Sequence, residues 1–202
     1  MTPRLLLRPW RPDDSWDVTA AYQIYSHPLV WSRLGAQPAP CADLAEAHDR
    51  LVSFGARSDG VAAILAVVPF GGGDVPVGSA LLVPLPRSDG AETSTWEIGW
   101  HLHPEVWGRG FATEAGAAMA ARAAAAGLDG VHAVVHPDNP ASLAVCDRLG
   151  MTRLGSTTDW YGVDLVDHHL PLAAGVPAPR RPVVDLTDAR ATPAGAVPRR
   201  AG

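Results

Sequence analysis

Glu97 and His101 stand four residues apart in TWEIGWHLH, a run whose alternation reads as a strand from Thr95 to His103. Alternate side chains of an extended chain share a face. Glu97, Gly99, His101 and His103 therefore fall on one face, and Trp96, Ile98, Trp100 and Leu102 on the other. A carboxylate on that polar face can act as a general base, with Gly99 beside it leaving room for a ligand. His101 on the same face is the reserve base. The plainer reading of Glu97 is a solvated carboxylate on an open sheet surface.

Immediately downstream lies HPEVWGRGFATEAG, His103 to Gly116. Gly108 and Gly110 flank Arg109 just before an alanine-rich helical run. A glycine turn at a helix N-terminus exposes unpaired N–H groups and the positive end of the helix dipole to an anion. Arg109 adds a full charge, and Glu114 in the first helical turn makes a favourable pair with the dipole, facing away from the anion. The plainer reading is a tight strand–helix turn. Thr113 stands where a dinucleotide fingerprint needs its third glycine, and no GK[ST] follows, so neither nucleotide motif applies.

No metal ligand set is coherent. His132 and His136 are four apart in a strand pattern, which separates them by about 13 Å, and His168 and His169 point to opposite faces. Seven tryptophans are mostly core candidates, with Trp31 and Trp160 as walls for an acceptor pocket.

The elements that position these groups follow from periodicity. RLLLRPW reads as a short first strand. Asp14 to Phe54 is helical but interrupted by Pro28, Pro38 and Pro40, which predicts two helices and a loop. VAAILAVVPF and PVGSALLVPL form a hairpin around GGGD. After the Thr95–His103 strand comes the helix FATEAGAAMAARAAAAG, stopped by Gly127. GVHAVVH is a strand, PASLAVCDRLG a short helix closed by Gly150, and RLGSTTDW and VDLVDHHLPL a final pair of strands. The order β, αα, β, β, β, α, β, α, β, β predicts an α/β domain over 1–172, with a mixed, mostly antiparallel central sheet flanked by helices. From Ala173 onward, an Ala/Pro/Arg-rich stretch without periodicity reads as a disordered tail, 173–202.

All sixteen basic residues are arginine, and the net charge is −5. The tail holds five arginines against two aspartates, which leaves eleven arginines against nineteen acids, or −8, in the first 172 residues. An acidic body disfavours nucleic-acid binding and favours a cationic partner such as an amine. Cys41 and Cys146 make no disulfide framework, which points to a cytoplasmic protein. The N-terminal residues lack the pattern of a signal peptide, and the longest apolar run is too short for a membrane span.

The stretch WEIGWHLHPEVWGRGFATEA resembles the acetyl-CoA-binding motif of the GNAT acetyltransferase superfamily. With RLLLRPWRPDD before it and NPASLAVCDRLGM after it, the chain is similar to the RimJ/RimL-like branch, which acetylates N-termini of ribosomal proteins. The likeness runs from about Pro3 to Leu172. It implies an N-acetyltransferase using acetyl-CoA as co-substrate, with no metal. The family pattern Q/R-x-x-G-x-G/A falls on Glu105 to Gly110, with Glu105 departing from it. The resemblance places CoA at Leu102, Val106, Trp107, Gly108, Arg109, Gly110, Phe111 and Ala112, with its diphosphate on the turn and the pantetheine arm near Asn139 and Ser142. Asn139 is also a natural cap before Pro140. Many members carry a tyrosine where this chain has Cys146, so the acid that protonates the leaving thiolate is left open between Tyr161, Ser142 and water. The acceptor is expected to be an amine, either a peptide N-terminus or a small molecule such as an aminoglycoside, polyamine or amino acid. A non-catalytic acyl-CoA-binding module is the rival of another class, and a homodimer is the oligomer entertained.

Overall fold

The computed structural model describes residues 2–58 and 60–172. The predicted 173–202 tail lies outside the described residues. Seven strands form one sheet in the order β1-β2-β3-β4-β5-β7-β6. These are β1 (Leu5–Pro9), β2 (Ala63–Pro69), β3 (Gly78–Pro84), β4 (Trp96–Leu102), β5 (Gly130–Val135), β6 (Thr152–Thr157) and β7 (Leu165–Pro171). The helices are α1 (Ser15–Tyr25), the one-turn α2 (Pro28–Trp31), α3 (Leu44–Ala56), α4 (Phe111–Ala125) and α5 (Pro140–Arg148). The element order matches the sequence reading except for α2, which starts at the proline expected to interrupt, and a 3-10 turn at Pro104–Val106. Proline suits the first position of a helix because its missing N–H has no intrahelical partner there.

The sheet is covered on both faces. On one, Ile98, Leu102, Val131 and Ala133 pack against Phe111, Ala115 and Met119 of α4. On the other, Ile64, Leu81 and Val83 pack beneath Ile24, Tyr25, Leu51 and Phe54 of α1 and α3. The polar face of β4 thus does not look onto open solvent. It lies beneath α1 and α3, and Glu97 is only 8% exposed.

Two buried polar contacts fix that covering layer. Arg8 of β1 makes a bidentate pair with Asp17 of α1 at 2.7 and 2.8 Å. Ser79 of β3 accepts from the Trp10 indole at 3.1 Å and meets the Tyr25 hydroxyl at 2.7 Å. Complete pairing keeps such buried groups from costing stability.

All neighbouring strands are antiparallel except β4 and β5, whose parallel ladder is reduced to the pair Glu97↔His132. Beyond that pair the strands share no ladder. Along 98–102 and 133–135 the two strands part.

Candidate active site

A cavity of about 700 Å³ opens at this gap, floored by β4 and β5 and walled by α3, α4 and α5. Its volume is in the range of sites for sizeable small molecules.

One wall is backbone. Gly108 and Gly110 both have left-handed φ, +74° and +78°, which a side chain would strain. Gly110 caps α4 without any side-chain acceptor. The amides of Gly108, Arg109, Gly110, Phe111, Ala112 and Thr113 donate to no protein acceptor among the described residues. A Cβ at Gly108 would enter open space, with nothing within 4 Å. This is a cradle for a polyanion built from N–H groups and a helix dipole. The Trp107 indole donates to the Leu102 carbonyl at 2.8 Å and pins the turn to the end of β4. Leu102, Val106, Trp107, Phe111 and Ala112 line the cavity with the two glycines. Arg109 does not. Its guanidinium lies 4.8 Å from the centre of the Phe111 ring, so its charge reaches the cradle from outside. Glu114 turns to the N-terminal segment instead, pairing with Arg4 at 2.7 Å and accepting from Thr2 at 2.6 Å.

The next wall is α5. Asn139 caps it, accepting from the Ser142 amide at 3.2 Å, and its amide nitrogen donates to the Ser142 hydroxyl at 3.1 Å. Both residues line the cavity, so the cap and the lining wall are the same residue pair. Cys146 of α5 points into the core at 0% exposure, and burial pushes its thiol up to about 12.

The opposite end holds the titratable groups. Burial raises the Glu97 carboxyl to about 7, tempered by a hydrogen bond from the Tyr161 hydroxyl at 2.5 Å. Tyr161, in the connection from β6 to β7, sits at φ +55°, a conformation rare for a bulky residue, and lines the cavity. Burial and the Glu97 charge raise its phenol above the ordinary value, so it stays a proton donor. His101 also faces the cavity, its Nδ1 3.4 Å from the Tyr25 hydroxyl. Burial and the charges of Arg50 and Arg57 depress it to about 4, which keeps the imidazole neutral and weakly basic. Gly99 lines the cavity as the sequence suggested, but shares the room beside it with a neighbouring side chain. A Cβ there would meet Leu81 at 3.1 Å.

Of the expected wall residues, neither Trp31 nor Trp160 lines the cavity. Trp160 instead donates to Asp167 at 3.2 Å beneath Leu85 and Leu165. Sequence reasoning missed Thr113, Tyr25, Arg50 and Arg57. Of the three buried polar atoms without a partner among the described residues, two belong to residues that line this cavity, Thr113 Oγ1 and Arg50 Nε. Among the described residues no three His, Cys, Asp or Glu side chains cluster to hold a metal, and no helix is long and apolar enough to cross a membrane.

Residues 4–152 match the family model described as an acetyltransferase (GNAT) domain. The chain belongs to the GNAT acetyltransferase family. Solved structures share its fold. An acetyltransferase of the GNAT family from Bacillus anthracis is 21% identical, with 85% of this chain and 96% of that one covered at a TM-score of 0.66. One from Agrobacterium tumefaciens is 24% identical, with 84% and 92% covered at 0.65. The Salmonella typhimurium acetyltransferase that modifies the N-terminal serine of ribosomal protein L7/L12 is 17% identical, with 85% and 97% covered at 0.66. No curated protein matches the chain by sequence. In this GNAT acetyltransferase the cavity joins a cradle of unpaired amides at one end to the buried Glu97 carboxyl at the other.

Proposed function

We propose that the enzyme transfers acetyl from acetyl-CoA to the α-amine of a peptide. Structural neighbours have been solved with CoA or acetyl-CoA, and one neighbour modifies a protein N-terminal serine. The donor's diphosphate fits the amides of 108–113, and its pantetheine arm fits the unladdered gap between β4 and β5, beside Asn139 and Ser142. Glu97 takes a proton from the acceptor ammonium, the freed amine attacks the thioester carbonyl, and the carbon–sulfur bond breaks. The Tyr161 hydroxyl supplies a proton to the departing thiolate and is restored from Glu97, to which it is already hydrogen-bonded; Glu97, ionised again, takes the second proton from the nitrogen of the collapsing intermediate and releases it to solvent.

The observation that carries the reading is Glu97 itself, buried at about 7 and facing the same cavity as the cradle. An α-ammonium near ~7.8 can pass its proton to such a base almost without cost. A lysine ammonium near ~10.4 would need roughly 4.6 kcal/mol to be free at pH 7, against about 1 kcal/mol for the α-amine. The site therefore suits α-amines. The enzyme is read as cytoplasmic, in keeping with two cysteines that are both buried and free.

The test is one peptide bearing both amine types, with thiol release followed and the product mapped by mass spectrometry. Acetylation at the α-amine is expected. Modification mainly at lysine, or only of small amines, would reject the assignment.

A further inference from the structure

The cavity carries a charge opposite to that of the body around it. Its walls include Arg33, Arg50, Arg57 and Arg148, and its one carboxylate is Glu97. Two of these arginines are accounted for. Arg33 donates to the Asp138 carbonyl at 3.2 Å, bridging to the β5–α5 loop. Arg148 ends α5, on the donor wall with Asn139 and Ser142. Arg50 and Arg57 differ, because both come from α3 and its C-cap, on the wall that covers the polar face of β4.

Arg50 lies over the Tyr25 ring, 4.9 Å from its centre. Its Nη2 meets Glu46 at a loose 3.5 Å, and its buried Nε finds no acceptor among the described residues. A guanidinium has five N–H donors in a fixed fork, and here one weak contact occupies it. Arg57 makes no ion pair among the described residues. Both side chains line the same cavity as Glu97 and His101, and their charges act on His101, that of Arg57 also on Glu97. An underused fork in a partly desolvated cavity suits a carboxylate.

Resting on the amine-acetylation reading above, we propose that the acceptor carries a carboxylate close to its amine, bound by Arg50 and Arg57. The fitting acceptor is an amino terminus followed by an acidic side chain. The acidic exterior favours basic partners only through a field screened over ~10 Å, whereas groups inside the cavity select by contact.

The experiment compares kcat/KM for three amidated peptides that begin Ala-Asp, Ala-Asn and Ala-Lys and are otherwise identical. A free amino acid against its amide tests the other source of a carboxylate. The expected result is a preference for Asp over Asn of about 10-fold, with Lys poorer still. Arg50→Gln should bring the Asp/Asn ratio close to one, and Arg57→Gln should reduce it less. Arg50→Lys, with charge but no fork, should keep part of it. The ratio is taken within each variant, so partial misfolding does not affect it. Preference for the free amino acid over its amide, with the peptides idle, would support the carboxylate site but give it the smaller ligand. Equal or inverted ratios in the wild type would overturn the proposal, as would a preference that survives both Gln variants. Absence of transfer to every amine would instead remove the acetylation reading on which the proposal stands.

Discussion

The proposed donor and acceptor ends of the cavity are made of different material. The donor end is backbone from a single segment, six successive amides held open by two left-handed glycines. The acceptor end is side chains from α1, α3, β4 and the β6–β7 connection, namely Tyr25, Arg50, Glu97 and Tyr161. A backbone cradle is indifferent to most side-chain changes and vulnerable at its glycines. A side-chain pocket can be retuned one residue at a time without disturbing the cradle. The contrast teaches that one fold can keep its donor while changing its acceptor.

The sharpest way to break this comparison is Gly108→Val. It forces a β-branched residue into φ +74° and fills the space left for the anion. Losing even two charge-assisted hydrogen bonds should weaken acetyl-CoA binding about 100-fold or more. Calorimetry showing unchanged affinity in a folded variant would mean that the cradle does not hold the donor.

Glu97→Gln should lower turnover by about 10² while leaving donor affinity near that of the wild type. The wild-type rate should rise with pH through about 7, and that step should vanish in the variant. The same substitution affects stability in the other direction. Because burial raises the Glu97 pKa, the unfolded carboxyl ionises first. Stability is therefore present below about 4.5 and is lost as pH rises to about 7. The Gln variant escapes that loss, and above pH 7 it should exceed the wild type by up to about 3 kcal/mol in denaturant titrations. His101, depressed to about 4, contributes stability above 6.5 that is lost as pH falls toward 4, and this is common to both proteins. An equally active and no more stable variant would remove the carboxylate from the mechanism.

Tyr161→Phe sharpens the acceptor end further. Turnover should fall about 10-fold. The hydrogen bond it removes lowers the Glu97 pKa, so the midpoint of the pH–rate curve should move upward from about 7. A midpoint that stays in place would show that the two groups do not act together.

The smallest effect is expected from truncation after Leu172, proposed to leave melting temperature and turnover nearly unchanged. The proposal rests on the absence of apolar periodicity in 173–202. A large loss of turnover would make those residues part of the acceptor end.

The same division explains what the sequence could reveal. The cradle depends on residues adjacent in the chain, so GRGF and the helix after it were readable as local chemistry. Glu97 was readable because strand alternation puts it opposite Ile98. Its environment was not. The covering of that face by α1 and α3 depends on Arg8–Asp17 and Ser79, contacts between distant segments that periodicity does not encode. Tyr161 could be named as a candidate acid but not placed, because its position follows from a backbone conformation that tyrosine rarely adopts. Arg50 was not singled out, since nothing local says that its helix lies over a cavity. Leu81, which crowds Gly99, was invisible for the same reason, because it arrives from the neighbouring strand.

The single register pair joining β4 to β5 divides the backbone hydrogen bonding into a four-stranded and a three-stranded block. Between those blocks the cohesion rests on side chains packed under α4 rather than on a ladder. In folding terms the free enzyme should open as two partly independent cooperative units, with amide exchange on the facing edges of β4 and β5 faster than in the strands either side. A donor molecule lying in that gap would take the place of the missing ladder, so the co-substrate would also act as a joint that makes the two units unfold as one.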